Sequence, residues 1–165
     1  MKRILLSVLL MLLAAPGLLF AEAERPSCQI MGKINLKPLL GADHDAPVPF
    51  GEDGCRAESG SPGRMVILTV TEGTPDELKN WLAGIRKINT EQRAAEVILA
   101  AEPALGPDAF SIKEKGDELR QIELYALKGS RAVVVQATWS IGEPITDATF
   151  KKLRHVAKAA LAKLP

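Results

Sequence analysis

The segment Arg64–Thr71, RMVILTVT, constrains the fold more than any other stretch of the chain. It is a β-branched and apolar run, which predicts a central strand with both faces partly covered. The sequence then changes period. Thr74-Pro75-Asp76-Glu77 predicts a helix start, with Thr74 as N-cap, Pro75 at the first helical position and Glu77 closing a capping box. Leu78, Leu82, Ile85 and Ile88 are expected on one face of that helix. Thr90 can cap a second helical stretch running to about Ala101 and ended by Pro103. A strand over Val97–Ala101 is the alternative, and periodicity leaves both open.

Three strand-like segments follow. Ala109–Lys113 is short. Leu119–Leu127 alternates, with Ile122, Leu124 and Ala126 on one side, and Arg131–Trp139 contains Val133, Val134 and Val135. Lys128-Gly129-Ser130 between the last two predicts a hairpin turn. A helix from Asp147 to Leu164 ends the chain. Leu153, Ala157, Ala160, Leu161 and Leu164 form its apolar stripe, while Lys151, Lys152, Arg154, His155, Lys158 and Lys163 lie off it. Upstream, residues 34–40 predict a short helix ended by Gly41. Residues 42–63 are rich in Gly, Pro, Asp and Ser and are expected mostly as loop, with a short strand near Cys55–Glu58. This order predicts an α+β fold, an antiparallel sheet covered by helices.

The first residues place the chain. Lys2 and Arg3 precede the apolar run Ile4–Leu13, and Pro16-Gly17 and Ala21-Glu22-Ala23 follow. This is the layout of a secretory signal peptide over residues 1–23, with a mature single domain over 24–165. An uncleaved anchor is the rival reading, weakened by Pro16, Gly17 and the lack of a basic stop-transfer cluster. The expected location is secreted and periplasmic, with no membrane span after cleavage. The whole chain has 21 basic and 20 acidic residues. Removing Lys2, Arg3 and Glu22 leaves 19 of each. A neutral chain with 4% aromatic residues carries no electrostatic footprint for nucleic acid.

Cys28 and Cys55 are the only cysteines. In an exported chain they predict one structural disulfide. It would close a loop of 28 residues, for which the chain-entropy model gives roughly 3.6 kcal/mol. Apart from Met31, Leu36, Leu39, Leu40 and Phe50, the segment it closes has few large apolar residues, so modest burial is expected there.

The order of elements resembles the PsbP-like sandwich, a group of photosystem II lumenal proteins and small secreted bacterial domains. The resemblance rests on the early cysteine and the short helix ending in Leu39-Leu40-Gly41, with a second cysteine at 55. It rests also on RMVILTV followed by a helix, on the turn Ala104-Leu105-Gly106-Pro107-Asp108-Ala109-Phe110, and on the terminal helix. It implies a fold and no activity, since members of the group share no single site.

Chemistry is sparse. Asp43-His44-Asp45 holds one of only two histidines. Read as an EF-hand, the loop has Pro47 at a ligand position and Val48 where Gly is required. A transition-metal site would need Glu52, Asp53 or His155 to join His44. Hydrolase, phosphate-loop and haem-attachment motifs are missing from the sequence. His155 sits on a basic helical face, and Trp81 and Trp139 are expected in core or rim packing. No catalytic residue, metal ligand or cofactor is assigned. The sequence therefore points to an exported, non-enzymatic domain that binds a protein partner or small ligand. A metal-binding or hydrolytic protein using His44 and neighbouring carboxylates is the alternative.

Overall fold

In the computed structural model, residues 25–60, 63–115, 121–140 and 145–165 are described. They form a seven-stranded antiparallel sheet with four α-helices. The elements are α1 (Pro26–Met31), α2 (Lys37–Leu40), β1 (Val48–Phe50), β2 (Gly54–Ser59), β3 (Arg64–Glu72) and α3 (Pro75–Glu91). They continue with β4 (Val97–Ala101), a 3-10 turn at Pro103–Leu105, β5 (Phe110–Glu114), β6 (Gln121–Lys128), β7 (Arg131–Trp139) and α4 (Asp147–Lys163). The sheet order is β1-β2-β3-β7-β6-β5-β4. The signal-peptide segment lies outside the described residues, as do Leu119 and Arg120 at the start of the expected strand.

RMVILTV lies inside the sheet, paired with β2 on one side and β7 on the other. Its alternate residues serve two layers. Val66, Leu68 and Val70 join the main core with Cys55 and Ala57 of β2, Val133, Val135 and Ala137 of β7, and Ile122, Leu124 and Ala126 of β6. The helices α1, α2 and α4 close over this face through Ile30, Met31, Leu36, Leu39, Leu40, Phe150, Leu153, Val156 and Ala157. On the other face, Leu82 and Ile85 of α3 pack on Val97 and Leu99 of β4, Phe110 and Ile112 of β5, Tyr125 of β6 and Val134 of β7.

The capping box forms as expected. Glu77 N donates to Thr74 Oγ1, and Thr74 N donates to Glu77 Oε2 at 2.9 Å. Thr74 Oγ1 also donates to Glu77 Oε2, at 2.7 Å, and this bond, followed by the one from Thr74 N, favours the ionised form and holds the Glu77 carboxyl below its usual range. The β6–β7 hairpin is tight, with Gly129 in the left-handed region at φ 59°. Three expectations are corrected. No second helical stretch runs from Thr90 to Ala101: α3 ends at Glu91, Thr90 Oγ1 donates back to Arg86 O, and Val97–Ala101 is strand β4. Ile88 is exposed, because the helical period that buries Leu78 and Leu82 returns to the sheet at Asn89. The segment closed by the cysteines is well buried rather than modestly so: Met31, Leu36 and Leu40 are among the most buried side chains, and of its large apolar residues Val48 and Phe50, both on β1, stay exposed.

Cys28 and Cys55 are joined, with Cα atoms 5.0 Å apart. The bond fastens α1 to β2. Arg25 Nη1 also donates to Gly51 O, so the start of the described chain is tied to the turn before β2.

Arg154 is not merely a basic residue off the α4 stripe. It grips Glu102, which is 3% exposed, through Nε at 2.6 Å and Nη2 at 3.0 Å. Buried Ser111 Oγ donates to the same carboxylate at 2.9 Å. The Arg154 guanidinium lies 4.0 Å over the Phe150 ring, and Lys113 Nζ lies 4.2 Å from it. This cluster pins α4 to the segment that follows β4.

Removing one partner leaves the other charge buried. Arg154→Met should cost about 2–3 kcal/mol in urea unfolding. That is below the about 3–5 kcal/mol of a fully enclosed pair because the Arg154 side chain is 43% exposed. Adding Glu102→Gln should recover part of the loss. Reduction of the disulfide should speed hydrogen exchange in residues 41–53 well before α2, whose leucines remain anchored in the core. Equal acceleration of both segments would contradict that anchoring.

Candidate functional site

The loop around His44 does not assemble a ligand set. His44 forms an isolated bridge with Ser59, and its Nδ1 lies 2.9 Å from Asp45 O. Asp45 N donates to Glu58 O at 2.8 Å. Glu52 and Asp53 lie at the other end of β2, where they share a cleft with Arg25, Val70 and Glu72. Along a strand of this length the two ends are roughly 17 Å apart. His155 is elsewhere again, on α4 beside Asn35, Pro38 and Leu39. Among the described residues no group of three or more His, Cys, Asp or Glu side chains could hold a metal ion. Trp139 is in the core, with the Arg64 guanidinium 5.8 Å over its ring.

The two faces of the sheet are unequally covered. On the α3 side, neither hydrophobic cluster takes in a residue from that face of β1, β2 or β3 among the described residues. The register fixes what this face presents. Arg56 lies between Val48 and Ile67, with Gln136 beyond, and Glu58 lies beside Met65 and then Thr138. Thr69 and Thr71 continue the row along β3. The result is a polar and β-branched surface with a few apolar side chains set into it.

Its borders are aromatic. On the β1 side Phe50 is 41% exposed, and the Arg56 guanidinium sits 5.7 Å from its ring centre. On the other side stands the flank of α3. There Trp81 is 41% exposed and meets Tyr125 edge-on, with centroids 6.2 Å apart. The opposite flank of α3 carries Arg86, which stacks on Phe110 of β5 at 4.6 Å and donates to Asp108 O at 2.7 Å. Trp81 therefore lies on the β6–β7 side of the helix, facing the uncovered half. Ile88, two turns on, shares its flank and is also exposed. At the Arg64 end the face opens into a cleft of about 360 Å³ lined by Glu58, Met65, Thr138 and Trp139.

Between wall and floor lies a fixed polar group. Tyr125 stacks on Phe110 with centroids 4.8 Å apart, and its hydroxyl donates to Glu123 Oε2. Gln121 Nε2 donates to the other carboxylate oxygen at 2.6 Å. Burial, and then the neighbouring Glu123 charge, push the Tyr125 phenol far above its usual value. Glu123 is thereby held in one orientation beside the open face. The arrangement offers stacking, a hydrogen-bonding row and a fixed carboxylate.

The period-two alternation of Gln121, Glu123 and Tyr125, and of Gln136 and Thr138, was present in the sequence as a signal for one common face. What it lacked was the strand order that sets β7 beside β3. Compared with protein-family models, with curated proteins and with solved structures, the chain finds no match.

Tyr125 is the sole tyrosine, so its ionisation can be followed by phenolate absorbance without overlap. Because its folded-state value is raised, the stability it contributes is full below pH 10.0 and is lost as pH climbs further. Glu123→Gln should bring the titration down toward 10.0 without normalising it, since burial is the larger cause. An unchanged titration would show that Glu123 does not act on the phenol.

Proposed function

We propose that this chain is an exported, non-enzymatic domain of PsbP-like sandwich architecture that binds a protein partner through the half-uncovered sheet face. The observation that carries the reading is the pairing of a hydrogen-bonding floor with exposed aromatic borders, Phe50 on one side and Trp81 on the other. Exposed aromatic anchors around a polar surface are typical of protein recognition. The PsbP-like part of the reading is supported by the order of elements and by the turn at Gly106. There φ is 135° and the 3-10 turn redirects the chain into β5. Export is supported by the layout of residues 1–23 and by the disulfide, a bond that persists in oxidising compartments. No helix among the described residues is long and apolar enough to cross a membrane.

Photo-crosslinking tests the assignment. A photoreactive residue placed at Phe50, Met65 or Gln136 in the exporting cell should give a discrete adduct, and one placed at Lys158 on exposed α4 should not. Trp81→Ala should reduce the yield at Gln136 several-fold. Adducts from Lys158 alone would move the binding surface to the other side of the molecule.

A further inference from the structure

The two edges of the sheet are built differently. At one edge β1 has only three residues, and its central residue is Pro49, which has no amide hydrogen to offer. This is how natural sheets blunt an edge. At the other edge β4 reads VILAA, with no charge, no proline and an unbroken register against β5. Ile98 is 50% exposed on it, and Ala100 and Ala101 are exposed as well.

The main-chain phase of this edge can be read from its ends. Lys115 N donates to Glu96 O, and Glu102 N donates to Ala109 O at 2.9 Å. Even-numbered residues of β4 therefore bond to β5, and odd-numbered ones turn their main-chain groups outward. The Val97 amide is already used by Arg93 O. Val97 O and both main-chain groups of Leu99 and Ala101 have no partner among the described residues.

We propose that β4 pairs antiparallel with β4 of a second copy of this chain, about a two-fold axis at Leu99. In that register each Leu99 exchanges bonds with Leu99 of the second copy, and each Ala101 amide meets the free Val97 oxygen opposite. The side chains agree with it. Exposed Ile98 comes to lie against the small Ala100 of the second copy, so a large residue covers a small one at the close, non-hydrogen-bonded pair position. Moving the axis to Ala100 would use the same outward groups but set Ile98 against Glu102, which is committed to Arg154. The fit of the strand to itself is what favours a second copy over an unrelated strand. The surface is distinct from the face assigned above, so the two assignments stand or fall separately.

Sedimentation and light scattering of the purified protein over a concentration series test the pairing. A concentration-dependent dimer is expected, with amide exchange at Leu99 and Ala101 slowing as the dimer forms. Ala101→Pro removes an outward amide that β5 does not use, and Ile98→Lys places like charges near the axis. Each should raise the dimer dissociation constant by at least about tenfold while thermal unfolding of the monomer stays near wild type. Ile88→Lys, an exposed apolar residue on α3, should leave the dimer intact. A protein that is monomeric up to about 1 mM overturns the proposal. So does a dimer that survives both β4 substitutions, or one whose formation leaves the Leu99 and Ala101 amides unprotected.

Discussion

The pairing of β3 with β7 sets the rest of the molecule. It runs from Arg64↔Trp139 to Glu72↔Arg131 without a break, and Arg131 adds an ion pair to Glu72 at 2.7 Å. Because β7 occupies the place beside β3, the strand that follows β3 in the chain cannot pair there. It must be delivered to the far edge, beyond β7, β6 and β5, and it points the same way as β3. Four strand spacings are roughly 19 Å, and a 17-residue helix spans about 25 Å. The helix α3 makes this crossing, and in doing so it covers the far half of one face and leaves the near half open. The uncovered surface follows directly from the strand order.

The other face is closed by elements from both ends of the chain. The helices α1 and α2 precede the sheet and α4 follows it, and all three meet over β2, β3, β6 and β7. Two polar devices keep them there. The disulfide fixes the first helix to β2, and the Arg154–Glu102 pair fixes the last helix to the segment after β4. Glu102 is affordable in the interior only because Arg154 and Ser111 together occupy its oxygens.

Much of this was legible in the residues because it rests on local chemistry. The Thr74 capping box, the Gly129 turn, the strand Arg131–Trp139 and the alternation of Ile122, Leu124 and Ala126 all depend on neighbours within a few positions. The two cysteines paired as an exported chain predicts. What failed or stayed open was decided at longer range. VILAA has the apolar content of either a helix or a strand, and the backbone bonds of β5 decide it. Arg154 reads as one more charge on a basic helix until Glu102, 52 residues away, is brought to it. Ile88 was misplaced by one position of helical phase, a small error that exchanges a core residue for a surface one. The candidate surface was the least legible part, since its floor comes from β2, β3 and β7 and its wall from α3.

The long reach of the central pairing also fixes an order of events as the chain folds. The strands β5, β6 and β7 form a meander whose neighbours are close in sequence. Gly63 and Ser140, which clasp the end of the β3–β7 pair, are 77 residues apart. Local contacts close quickly, whereas distant ones wait on a large loss of chain entropy. The first half of the molecule has no sheet to join until β7 exists, and the core under α1 and α2 has no lid until α4 arrives. A ribosome still holding α4 therefore holds a chain that cannot yet complete its core. The native state becomes available only when α4 is free to pack on the sheet.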